Sequence, residues 1–174
     1  GQSDKKSTGP LYYYVVPHNK LYVLDASSQK GLKPESRIIN SALNPILISD
    51  DLEKVLFSIG TDKKKDSIEK TSVEIWNGND KWVYGQNQRY GRFELTPKLM
   101  LWKPKKETIT PITSEAFPSV MLSPDLDYAV LSNPKQYEPQ YEHRGPRDYC
   151  ILDLDNLQKD TLLLKQSAAR EYMY

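Results

Sequence analysis

The chain has 174 residues, 24 basic and 23 acidic side chains for a formal net charge of +1, and a 38% hydrophobic share. That length suits one ordinary domain with a real core, and the balanced charge argues against nucleic acid or an anionic membrane as a partner. No apolar run approaches the roughly 20 residues of a membrane span, so no membrane insertion is expected, and Cys150, alone in the sequence, excludes an intrachain disulfide or a cysteine metal cluster.

In chain order, short runs rich in Val, Ile, Leu and Tyr alternate with Asp, Asn, Pro and Lys, the signature of strands between turns. They predict strands at 11–16, 20–25, 36–40, 45–49, 53–59, 72–76, 97–103, 107–113, 118–123, 126–132, 148–153 and 160–164. Gln166–Tyr174 reads as a short helical turn or an incoming strand. The lysines 63–65, flanked by Asp62 and Asp66, read as a solvated loop tip. The opening Gly1-Gln2-Ser3-Asp4 reads as a trimmed or mature end, which leaves room for a removed secretion signal.

An internal repeat organises these strands. Residues 46–58 (Ile-Leu-Ile-Ser-Asp-Asp-Leu-Glu-Lys-Val-Leu-Phe-Ser) align without a gap on residues 120–132 (Val-Met-Leu-Ser-Pro-Asp-Leu-Asp-Tyr-Ala-Val-Leu-Ser). Each copy is a strand, a tight Ser-x-Asp turn and a second strand, because Ser and Asp side chains can bond nearby backbone N–H groups and hold the reversal. A second hairpin type follows each copy, at 99–113 and 150–164, and residues 21–25 with 36–40 read as another such pair. Four antiparallel strands per unit, repeated, is what a β-propeller blade requires. The expected fold is thus an all-β partial propeller of four-stranded antiparallel blades. The end of one blade covers 11–40, a second blade 45–113 with an insertion at 60–96, a third 118–165, and 166–174 begins the next. Sandwiches and barrels share the same turn rules and stay open as alternatives.

Chemistry is sparse. There is no Gly-x-Ser-x-Gly elbow, no glycine-rich phosphate loop and no His-Glu-x-x-His spacing. The two histidines, His18 and His143, fall in a turn and a polar loop, while Asp50, Asp51, Asp153 and Asp155 fall at predicted turns. No catalytic residue, metal site or cofactor is expected in this chain. Two loops carry aromatics among Arg, Asn and Gln, a composition typical of interaction surfaces. The candidate binding residues are Trp76, Asp80, Trp82 and Arg89 in the first, and Tyr141, His143, Arg144 and Arg147 in the second. Both loops follow the second strand of a blade, which in a propeller brings them to one face. The competing reading is that these side chains only pin long insertions to the sheet.

The stretch Val73-Glu74-Ile75-Trp76-Asn77-Gly78-Asn79-Asp80, followed by Gln86 and Gln88, resembles the propeller domain of bacterial prolyl oligopeptidase family serine peptidases. The hairpins 99–113 and 120–132 resemble the blades of that family. The resemblance spans about residues 20–165. It implies a non-catalytic propeller that gates and positions peptide substrates for an α/β-hydrolase domain lying outside this chain, in a periplasmic or extracellular enzyme. No triad residue maps here, and the paired glutamates with which dipeptidyl peptidases hold a substrate amino group have no match. The implied partners are further blades and the hydrolase domain of the same polypeptide and a peptide substrate. The isolated chain is expected to self-associate through exposed blade faces. The alternative is a TolB-like or other propeller module that binds proteins without an enzymatic domain. A carbohydrate-binding or glycosidase propeller is weaker, because no paired-carboxylate constellation stands out.

Overall fold

The computed structural model describes residues 9–29, 31–61, 78, 80–82, 93, 96–140, 142 and 145–167. The fold is all-β: among these residues helix occurs only as short 3-10 turns, and the strands form three antiparallel sheets. The chain divides into two compact units, Gly1–Lys64 with Pro97–Ile112, and Lys65–Thr96 with Thr113–Tyr174. The predicted strand at 72–76, the lysine run at 63–65 and the helical turn or strand from 168 onward lie outside the described residues.

In the first unit, β1 (Leu11–Val15) and β2 (Lys20–Leu24) form a two-stranded hairpin. β3 (Ser36–Ile39) and β4 (Leu47–Ile48) both pair with β5 (Val55–Thr61), which continues to β6 (Lys98–Lys103) and β7 (Thr108–Pro111). β3 lies along Ser58–Thr61 and β4 along Val55 and Leu56, so the two share one edge of β5. The chain between them turns at Ser41 and Asn44, which exchange backbone hydrogen bonds of 3.2 and 3.0 Å.

Strand pairing departs here from the sequence expectation, in which 20–25 pairs with 36–40. β2 pairs with β1 instead, and β3 belongs to the larger sheet. Local turn chemistry explains the difference. Val16–His18 makes one 3-10 turn with Pro17 preset for it, and Asn19 adopts the left-handed conformation (φ 48°) and donates its N–H to the Val16 carbonyl. Such a turn closes β1 onto β2 at short range. The longer 25–35 connection leads away from β2, beginning with the Asp25 carboxylate accepting from the Ser27 N–H at 2.9 Å.

Alternation then builds the core. Leu11, Tyr13, Tyr22 and Leu24 from the hairpin pack against Ile38, Val55, Phe57, Ile59, Met100, Trp102 and Ile109 of the sheet. Tyr13 meets Trp102 edge-on, with ring centroids 6.2 Å apart, and its hydroxyl donates to the Leu52 carbonyl. An aromatic with a bonded polar tip fixes the hairpin both by burial and by direction.

In the second unit, β8 (Ser119–Leu122), β9 (Tyr128–Ser132), β10 (Arg147–Asp153) and β11 (Lys159–Gln166) run in sheet order as they run in sequence. Ala129, Leu131, Cys150 and Leu152 are buried, and Cys150 is a reduced thiol. Leu154, fully buried, anchors the β10 turn by donating its N–H to the Asp127 carbonyl at 2.8 Å. Every residue of β11 is exposed.

The two copies of the thirteen-residue repeat occupy equivalent positions in their sheets. Leu47 pairs with Leu56 and Ile48 with Val55; Met121 pairs with Val130 and Leu122 with Ala129, in the same register. Beyond them β5 pairs with β6 as β9 pairs with β10, placing Met100 opposite Phe57 and Cys150 opposite Leu131.

Candidate functional site

Among the described residues of the β9–β10 connection, residues 133–146, several side chains join in one polar network. The connection is long, and a long loop stays ordered only where side chains satisfy its backbone. Lys135 supplies that here. It is 4% exposed, and its ammonium donates to the carbonyls of Gln140 at 2.8 Å and Glu142 at 2.9 Å. The same ammonium lies 4.5 Å from the centroid of the Trp82 ring. Two carbonyls and a π-face replace the water that burial removes. Burial holds the Lys135 pKa below the ordinary lysine value, with the nearby Arg147 charge acting in the same direction.

At the base of the loop, Asp148 gathers three donors. Its Oδ1 accepts from the Lys165 backbone N–H and the Tyr137 hydroxyl, both at 2.8 Å, and its Oδ2 accepts from the Gln136 amide at 2.6 Å. The Gln136 side chain also accepts from the Asp148 N–H at 3.1 Å, closing a ring between the loop and β10. The Lys165 N–H, then Tyr137 and Gln136, hold the Asp148 carboxyl below the usual aspartate range. The same bond pushes the Tyr137 phenol up. The Lys165 N–H can reach Asp148 because the β10–β11 ladder shifts register on either side of Tyr149 and Lys165 is left-handed (φ 46°).

Three of the eight sequence candidates fall among the described residues. Trp82, half-buried, joins Lys135 and packs as a pin for the loop. Arg147, also half-buried, turns back to the Gly145 carbonyl at 3.4 Å. Asp80 is exposed. Trp76, Arg89, Tyr141, His143 and Arg144 lie outside the described residues. Lys135, Gln136 and Asp148 escaped the sequence reading. Their signal was a lone charge or amide beside each of two aromatics, in Lys135-Gln136-Tyr137 and Asp148-Tyr149, which is too common to single out.

Asp51 and Asp153 serve turns. Asp51 accepts from the Ser49 hydroxyl and the Glu53 N–H, and these bonds, the Ser49 one foremost, lower its pKa. Asp153 accepts from the N–H groups of Asp155 and Asn156 at 2.7 and 3.2 Å. His18 is exposed in the β1–β2 turn. In the first unit an open hollow of about 370 Å³ is lined by Asp25, Ser27, Glu35 and Arg37 among others, and Ser27 holds the Asp25 carboxyl below its usual range. Among the described residues no three His, Cys, Asp or Glu side chains are placed to hold a metal ion, and no helix is long and apolar enough to cross a membrane. Lys135 is engaged with two loop carbonyls and Trp82, and Asp148 with donors from the loop and from β11, so the arrangement can tie the loop to the sheet.

Compared with models of known protein families and with curated proteins, the chain gives no match.

Proposed function

We propose that this chain is a run of β-propeller blades serving as the non-catalytic gate of a prolyl oligopeptidase-type serine peptidase, exported to the periplasm or cell surface. The observation that carries the reading is the repeated sheet plan. Two antiparallel sheets each hold the Ser-x-Asp hairpin in the same register and continue through a second hairpin, as successive blades do, with β3 added beside β4 in the first. The resemblance of 73–80 and of the two hairpins to that peptidase family adds the enzymatic context. The loop tied down by Lys135 and Asp148 is the segment we assign to screening peptides by size or docking them.

The test is made on the full-length protein. A phosphonate that labels active serines is expected to modify a serine outside this chain and to abolish cleavage of short fluorogenic peptides. Deleting the residues equivalent to 133–146 is expected to widen the size range of accepted peptides. A complete reading frame without a Gly-x-Ser-x-Gly elbow followed by Asp and His would leave only a binding scaffold.

A further inference from the structure

The Lys135 ammonium has two kinds of partner, and they come from segments far apart in sequence. Its hydrogen bonds go to the Gln140 and Glu142 carbonyls within the β9–β10 connection. Its π-partner, Trp82, comes from the stretch of chain that joins β5 to β6. The lysine is not free to follow either one. Its backbone N–H is held by the Asn133 side-chain oxygen at 2.9 Å, and its side chain is buried. A buried ammonium, stripped of bulk water, depends on every contact that stands in for it, so weakening one weakens its hold on the rest.

The loop's own backbone bonds add a second observation. The Gln136 N–H donates to the Asn133 carbonyl at 3.3 Å, the Gln140 N–H to the Glu138 carboxylate at 3.2 Å, and the Glu142 N–H to the Pro139 carbonyl at 3.3 Å. These lie at or beyond the long end of the usual N–H···O range. The lysine bonds at 2.8 and 2.9 Å are shorter and carry a full charge, so they dominate the order of the loop at 140–142.

We infer that Lys135 is a latch joining residues 80–82 and the β9–β10 loop into one unit, so that a ligand which orders or displaces either segment acts on both. Coupling of this kind is reciprocal: Trp82 steadies the loop as much as the loop steadies Trp82. The use of the latch rests on the gate reading, in which the ligand is a peptide and Trp82 is a positioning residue acting through Lys135. The coupling itself does not depend on that reading and is measured separately.

The test is amide exchange at Gln136, Gln140 and Glu142 in the whole chain. Trp82→Leu, which keeps apolar bulk and removes the π-face, is expected to speed it about five- to tenfold. Trp82→Phe, which restores a ring, is expected to recover most of the protection. Amides of the sheet at Leu131 and Cys150 are expected to keep their rates. In the other direction, Lys135→Met should move the fluorine resonance of fluorotryptophan at position 82 toward that of the free amino acid. Unchanged loop exchange in Trp82→Leu would overturn the latch, as would equal acceleration in the Leu and Phe variants. Equal acceleration at Leu131 and Cys150 would also overturn it, because the loss would then be general. In the full-length protein, Trp82→Leu is expected to widen the range of accepted peptides. An unchanged range beside accelerated loop exchange would sink the gate reading and leave the latch standing.

Discussion

The β4–β5 and β8–β9 turns are nearly the same object set in different surroundings. In the first, the Ser49 hydroxyl accepts from the Lys54 N–H at 3.0 Å while the Leu52 N–H donates to the Ser49 carbonyl at 2.9 Å. In the second, the Ser123 hydroxyl accepts from the Tyr128 N–H at 2.9 Å and the Leu126 N–H donates to the Ser123 carbonyl at 3.0 Å. Even the unusual backbone is shared, with Leu52 and Leu126 left-handed at φ 59° and 60°. Burial is not shared. Ser49 and Lys54 are 2% and 1% exposed, while Tyr128, the counterpart of Lys54, is 45% exposed. Leu52 is 56% exposed and Leu126 only 8%. Local side-chain chemistry therefore sets the turn, and the surroundings set what each position is worth.

Four measurements sharpen or break that contrast. The largest effect is expected at the strand behind the turn. Phe57, fully buried, should cost about 3–5 kcal/mol as Phe57→Ala, and its counterpart Leu131→Ala about 2–5, the smaller side chain leaving the smaller hole. Urea unfolding of each variant measures both, and equal losses would mean that side-chain size does not set the difference between the two strands.

The turn serines come next. Ser49→Ala should destabilise by about 1–3 kcal/mol, because it strands the buried Lys54 N–H, whereas Ser123→Ala should lose only about 0.5–1.5 where water can replace the hydroxyl. Equal losses at the two serines would mean that burial does not matter at these turns.

Glycine at the left-handed leucines gives a smaller effect of opposite signs. Leu52→Gly relieves an αL strain of roughly 1–2 kcal/mol and loses little packing, so a gain of about 0.5 kcal/mol is expected after the entropy of glycine is counted. Leu126→Gly also surrenders a buried side chain and should lose about 1 kcal/mol net. Thermal melts of the pair settle the signs.

The smallest effect is the pH response. The folded pKa values of Asp51 and Asp148 are lowered from the ordinary 3.8, so their contribution is fully present above that value. It is lost as pH falls through their folded values. Acid titration of stability should flatten slightly in Asp51→Asn and Asp148→Asn, and an unchanged acid limb in both would show that these bonds do not distinguish folded from unfolded chain.

Much of the fold was legible because it is local. Alternation located the strands, and the Ser49/Asp51 and Ser123/Asp125 spacing located both reversals, since a hydroxyl and a carboxylate at that separation can meet the same turn's N–H groups. The pairing of β2 was misread because 20–25 and 36–40 look alike in pattern, and pattern carries no distance. The compact turn through Pro17 and Asn19 decided it. The site was less legible. Trp82 stood out as an aromatic, but its role as the π-face over Lys135 depends on a residue far away in sequence.

By itself, the sequence determined an all-β chain with a twice-used Ser-x-Asp hairpin, because strand alternation and turn bonding act over a few residues. Only the tertiary structure decided that β3 joins β5, that Lys135 is buried under Trp82, and that Asp148 collects donors from the loop and from β11. Those outcomes rest on long-range closure and desolvation, whose free energy depends on which surfaces meet and is written in no single segment.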